Sequence, residues 1–264
     1  MSQDDPTPKR PPRNVEARSL AERLAVQGHK CKIPSTHDRL NETHHWWHEM
    51  ARNYHEPNPF RYALGAFIQA GRNVTFVLQK EKAAFADFSW YREWAKQARK
   101  EPVLRWLHDA RTEFVHQQAL APSSRLEVRC IGNPRAHADD EEEEDGPLGG
   151  DVSPFECTHY YMSRVPFTDH GHEFIRHWEI ENLPGRELLD ACRDVYDRLD
   201  ALVAYAHERA GAGMTKWWGQ NSGPPGRALP CMADTLPYRR ARTVVREGRE
   251  VWEDEPSGLH EGPR

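Results

Sequence analysis

Hydrophobic and polar positions alternate with a helical period through residues 38–120. The first segment is LNETHHWWHEMARNY. Trp47, Met50, Ala51 and Tyr54 fall at i, i+3, i+4 and i+7, one face of a helix. Asn41 is placed to cap it, and the prolines of HEPNP end it. The second segment, PFRYALGAFIQAGRNVTFVLQKE, carries Phe60, Leu64, Phe67, Val74 and Leu78 on one face and spans roughly 33 Å as a helix. Arg61, Gln69, Arg72 and Asn73 within it argue against a membrane span and for a central helix of a bundle. The third, DFSWYREWAKQARK, starts from a capping Asp87 and turns Tyr91, Trp94, Ala95 and Ala98 to the core. The fourth opens at Pro102, suited to a first helical position, with Val103, Leu107, Ala110 and Phe114 as its apolar face.

Beyond Pro122 the period shortens. RLEVRCI, FECTHYYMSRV and HEFIRHWEI alternate like strands. LPGRELLDACRDVYDRLDALVAYAHERAG returns to helical spacing, with Leu188, Leu189, Cys192, Val195, Tyr196, Leu199, Leu202 and Val203 as its stripe. The expected fold is mainly α, an antiparallel four-helix bundle followed by a small β-meander and a long C-terminal helix. The corresponding organisation is a flexible segment 1–37 with a short helix over NVEARSLAERLAV, the bundle 38–122, an α+β extension 123–211, and a flexible tail 212–264. A hairpin over TVVREGREVWE, turning at Glu247 and Gly248, falls in that tail.

Charge changes this picture little. The formal net charge is −5, but the run 139–145 contributes seven acids by itself, so the rest of the chain is about +2. That run sits in an acidic, glycine-rich loop at 133–153 expected to be disordered. The five cysteines (Cys31, Cys130, Cys157, Cys192 and Cys231) are scattered with no C-x-x-C, which reads against a zinc cage or a disulfide framework. Free thiols, a polar proline-rich start and no long apolar run place the chain in the cytoplasm.

Two constellations compete for chemistry. In ARTEFVHQQAL, Arg111 is followed five residues later by His116. An imidazole moves protons near neutral pH, and a guanidinium offers a fork that fits phosphate. By helical geometry Arg111 falls inside the apolar arc of Leu104, Leu107, Phe114 and Val115, with His116 about 140° away. A charge in such an arc needs a partner, either a carboxylate such as Glu42 or Glu49 or a phosphate. Spacings of this kind occur in this chain as often as chance predicts, so only the place on the fourth helix singles this one out.

This Arg–His spacing on a late helix of a bundle resembles the signature of HEPN domains. The resemblance implies a metal-independent endoribonuclease, in toxin or antiviral defence, with Arg111 on the phosphate, His116 in proton transfer and two copies meeting in a homodimer. Thr112 stands where that family often has Asn, Asp or His. RNA, a second copy, and an antitoxin or other protein are the implied partners, with no cofactor and no metal. Arg72, Asn73, Thr112 and His48 are candidate binding residues around the same pocket, although Arg72 and Asn73 equally suit a role in fixing helix register. The alternative is a non-catalytic bundle that binds a nucleotide or a partner protein, with Arg111 in a structural pair. FRYALGAFIQAGRNVTFVLQ and LPGRELLDACRDVYDRLDALV also resemble a family of actinobacterial proteins.

The second constellation is His44, His45, His48 and His55. His44, His48 and His55 share one helical face, and two histidines one turn apart can chelate zinc or nickel. HHWWHEMARNYH lacks the H-E-x-x-H of a zinc hydrolase, so these residues read as a polar flank or the rim of an RNA groove. In the tail, Trp217, Trp218 and Tyr238 beside the basic YRRAR suit stacking on single-stranded bases or docking of a protein.

Overall fold

The computed structural model describes residues 31–116, 122–131, 171–211, 229–246 and 249–254. The expected helix at 14–26, the acidic loop 133–153, the strand FECTHYYMSRV and Trp217 and Trp218 lie outside the described residues.

The structure is mainly helical, with a small antiparallel four-stranded sheet. In chain order the elements are α1 (Pro34–Arg52), α2 (Pro57–Lys80), a 3-10 turn (Glu81–Ala84), α3 (Trp90–Ala98), α4 (Pro102–His116), β1 (Ser123–Ile131), β2 (Gly171–Glu179), α5 (Leu188–Arg209), the short α6 (Leu236–Arg239), β3 (Arg240–Arg246) and β4 (Arg249–Asp254).

Helix α1 begins seven residues before Asn41, which lies exposed within it. Pro34 supplies a fixed φ at the first position. The helix has no side-chain cap of its own. Glu81, from the turn after α2, accepts from the Ser35 and Thr36 amides at 2.9 and 3.0 Å and from the Thr36 hydroxyl at 2.6 Å. A carboxylate at the positive end of a helix satisfies orphan N–H groups and the macrodipole together. No local cap motif marks this start, so the sequence places it too late.

Four consecutive helices do not make the core. Helices α1, α2 and α4 pack with α5, which follows β2 in the chain. Helix α3 has no fully buried residue. Its Trp90, Tyr91 and Trp94 lie half-covered on the core edge, where Trp90 meets Tyr205 of α5 edge-on. Gly71 marks where three helices close in: a methyl group there would stand 3.5 Å from both Leu107 of α4 and Leu199 of α5. Helix α5 is also not the end of the fold, because β3 and β4 follow and complete the sheet.

The strand order is β1-β2-β3-β4 with every pairing antiparallel. Ser123 to Ile131 pair with Glu179 to Gly171 along their whole length, and Arg246 stands opposite Arg249 in the last pair. Gly171 is required at its place, since a Cβ there would run into the Thr243 carbonyl of β3. The sheet is tied to the helices through Trp178, which stacks on Phe60 at 4.5 Å and donates to the Tyr54 carbonyl at 2.8 Å. The Tyr54 hydroxyl in turn donates to Glu187 at 2.6 Å, and Glu187 caps α5 by accepting from the Asp190 amide.

Candidate metal centres between the first and fifth helices

Helices α1 and α5 run antiparallel, with His37 beside His207, His44 beside Tyr196, and the Trp47 indole donating to the Leu189 carbonyl. Along this seam lie His37, His44, His48 and His207 together with the thiols of Cys31 and Cys231.

At its open part, His44 Nε2 lies 3.1 Å from His48 Nε2 and 3.2 Å from Cys231 Sγ. All three donor atoms fall within 4.8 Å of one another. The histidines stand one turn apart on α1 and are half-buried, while Cys231 is exposed. The turn carrying Cys231 is pinned by the fully buried Met232 and by the Thr235 hydroxyl, which donates to Asp190 at 2.8 Å. Burial, then the neighbouring His48 and His45, hold the His44 imidazole down at about 4, and burial with Arg52 and His45 lowers His48. Both are neutral near pH 7 and present lone pairs, the form a transition metal takes. Burial pushes the Cys231 thiol up, so a metal must displace its proton.

Behind this trio the seam turns acidic. Tyr196 lies against His44, with ring centres 5.3 Å apart. Its phenol is pushed up by burial and then by Asp200, Cys231 and Asp197, which places those groups around it. Asp200 is 7% exposed, and its Oδ1 has no hydrogen-bond partner among the described residues. Burial first, then Asp197, raise its carboxyl to about 7.

A second trio lies two turns nearer the start of α1. Cys31 Sγ stands 3.4 Å from His37 Nδ1 and 3.9 Å from His207 Nε2, and His37 Nε2 and His207 Nε2 are 2.9 Å apart. His37 and His207 are only 4% and 7% exposed. Burial first and His207 second hold His37 down at about 3, and burial lowers His207 against the opposing pull of Glu81.

Sequence spacing made only part of this legible. The pair His44 and His48 stood out, but the absence of a third ligand led to the expectation of no metal. The packing brings a third donor atom beside them, the Cys231 sulfur, from 187 residues away. His55 shares their nominal face yet is fully buried beyond the end of α1, where burial and then Arg176 hold it down at about 3. Cys31 lies only six residues before His37, and the α1–α5 packing brings His207 to them.

The Arg111 site differs from expectation. Arg111 and Thr112 are exposed, and the Thr112 hydroxyl donates to the His108 carbonyl at 3.1 Å. Trp106 takes the centre of the buried face with Val103, Leu107 and Ala110, which rotates Arg111 out of the apolar arc. Glu42 pairs with Arg39 and Glu49 with Arg52, so neither offers Arg111 the expected ion pair. His116 is the last residue of α4, and its side chain lies outside the described residues. Arg72 is half-buried and donates to the Thr75 hydroxyl at 3.3 Å, while its Nε has no partner among the described residues. Burial lowers its guanidinium, Tyr91 opposes that shift, and the charge of Arg111 adds to it. Asn73 is exposed, and His48 belongs to the α1–α5 seam.

No helix among the described residues is long and apolar enough to cross a membrane. The family model for bacteriophage lambda protein ea47 matches residues 25–255. No curated protein and no solved structure matches. The matching family is not the HEPN family, so the Arg111–His116 spacing is no family signature in this chain. Five-residue Arg–His spacings arise freely in a chain rich in both residues, and that is how the resemblance misled. The match also does not name the actinobacterial family.

Proposed function

We propose, for a chain that belongs to the family of bacteriophage lambda protein ea47, that its working centre is a transition-metal site formed by His44, His48 and Cys231. The observation that carries this reading is the convergence of two imidazole Nε2 atoms and one thiol on a common point. Two nitrogens and one sulfur suit zinc, with metal–ligand lengths of about 2.0–2.3 Å. Three protein ligands at a half-open site leave one tetrahedral position for water, the arrangement in which bound zinc lowers the pKa of water towards neutrality. Tyr196 would orient His44 from the buried side, as partners around metal ligands commonly do. The chemistry supported is metal-assisted hydrolysis or Lewis-acid catalysis.

Metal analysis of the purified chain tests this. Zinc or cobalt should bind, and His44→Ala, His48→Ala and Cys231→Ala should each remove it from this site. Cobalt should give a thiolate charge-transfer band that Cys231→Ala diminishes. Unchanged metal content and spectrum in all three variants would overturn the assignment.

A second reading follows from Arg72 and Arg111. The Arg72 guanidinium, with no Nε partner among the described residues, and the exposed Arg111, whose charge acts on it, suit a phosphate, and RNA cleavage with His116 remains a proposal on that footing. Arg111 is exposed and unpaired among the described residues, so Arg111→Ala should change stability by no more than about 0.5 kcal/mol while weakening RNA binding. RNA binding and cleavage equal to the parent's would refute this reading.

A further inference from the structure

Cys31, His37 and His207 are not used by the open site, and they repeat its donor set in a different setting. Cys31 comes from the segment before α1, His37 from the first turn of α1, and His207 from the last turn of α5. The three belong to segments that chain order separates by as many as 176 residues, and their donor atoms lie within 4.8 Å of one another. Both imidazoles are more than nine-tenths buried.

We infer that Cys31, His37 and His207 form a second, structural zinc site that fastens the beginning of α1 to the end of α5.

The distances support this. A tetrahedral zinc separates its sulfur and nitrogen ligands by roughly 3.3–3.6 Å, given metal–ligand lengths near 2.0–2.3 Å. Cys31 Sγ to His37 Nδ1, at 3.4 Å, falls inside that range, and Cys31 Sγ to His207 Nε2, at 3.9 Å, lies about 0.3 Å above it. The 2.9 Å contact between His37 and His207 is made by the other His37 nitrogen, Nε2; His37 gives one ion either Nδ1 or Nε2, and the three donor atoms so chosen lie within 4.8 Å of one another. On binding, the Cys31 thiol loses its proton to solvent and both imidazoles coordinate as neutral rings, so one proton leaves per ion. The Glu81 carboxylate, which already caps α1, acts on both Cys31 and His207. A carboxylate held there is suited to orient the ligands or to anchor a bound water. The Lys32 ammonium, which donates to the Ala210 carbonyl, ties the same two chain ends together beside the trio.

The seam repeats the pattern. His37 and His44 are seven residues apart, two turns or about 10.5 Å along α1. Each is joined by a second histidine and one cysteine. The open site has the half-exposed ligands of a reactive centre, and the other has the buried ligands of a closed structural one.

This inference goes beyond the open-site reading and can fail separately from it. The full chain, loaded with zinc and freed of excess, should hold about two ions per chain. Cys31→Ala or His207→Ala should remove one, and Cys231→Ala should remove the other. In the cobalt-loaded Cys231→Ala chain the thiolate charge-transfer band should persist, since Cys31 then supplies it. Should the His207 variant fold poorly, the parent chain gives the answer by alkylation and mass spectrometry of the peptide containing Cys31. Zinc should slow alkylation of Cys31 at least tenfold, and a chelator should restore it. Equal alkylation of Cys31 with and without zinc would overturn the buried site, and protection of Cys231 in the same sample would leave the open site standing. A trio joined only by Cys31–His37–His207 hydrogen bonds gives that result.

Discussion

Asp200 is the buried group with the largest worked consequence. It sits on α5 with 7% exposure, Oδ1 unpartnered among the described residues, and Asp197 one turn before it. Burial and that neighbour raise its carboxyl from 3.8 to about 7. The folded protein therefore holds this proton more tightly than the unfolded chain does. Its contribution to stability is fully present below about pH 4 and is lost as pH rises through 7. A shift of about 3 units corresponds to roughly 4 kcal/mol at the alkaline limit, of which about 2–3 kcal/mol falls between pH 5 and pH 8. Asp200→Asn removes the ionisation while keeping the shape. Urea unfolding of parent and variant at pH 5, 6, 7 and 8, in chelator, isolates the term, because histidine protonation is common to both and cancels. The variant should gain on the parent steadily with pH and be more stable by a few kcal/mol at pH 8. Parallel stability curves would refute the reasoning and place Asp200 in contact with water or a cation.

Gly171→Ala should lower stability by about 1–3 kcal/mol in thermal or urea melts, since the added Cβ meets the Thr243 backbone carbonyl, which cannot move without breaking the β2–β3 pairing. A variant as stable as the parent would show that β2 and β3 are further apart. Glu81→Ala should lower stability by about 1 kcal/mol and speed hydrogen exchange at the Ser35 and Thr36 amides. Unchanged exchange at those amides would show that α1 is capped by another group.

Elements were legible where a single helix face carried its own signal. The stripes of α2 and α5 are buried as their periodicity indicates, because long apolar faces leave one way to pack. The start of α1 was not legible, since its cap comes from Glu81, about forty-five residues away. Partner choice was not legible either. Periodicity shows that a face is apolar and not what covers it, so α3 was placed in the core where α5 stands. The candidate site follows the same rule. His44 and His48 are neighbours by helical geometry, and Cys31 lies six residues from His37, whereas Cys231 and His207 reach their trios only through packing. Arg111 shows the opposite failure. A helix wheel gave it an inward position, and the bulk of Trp106 turned the helix by enough to expose it.

The α1–α5 seam also orders events during synthesis. Helices α1 and α2 are complete once residue 80 has been made, and they pack extensively on each other. The α1 face that carries His37, His44 and Trp47 meets its covering helix only when residues 188–209 have left the ribosome. At about 5–20 residues per second that interval lasts several seconds or more, during which an apolar strip of the nascent chain stays open. Closure then joins residues up to 176 positions apart, the kind of non-local contact that slows folding. A chain cut short before α5 would carry that strip permanently, and its fate would be aggregation or capture by a chaperone.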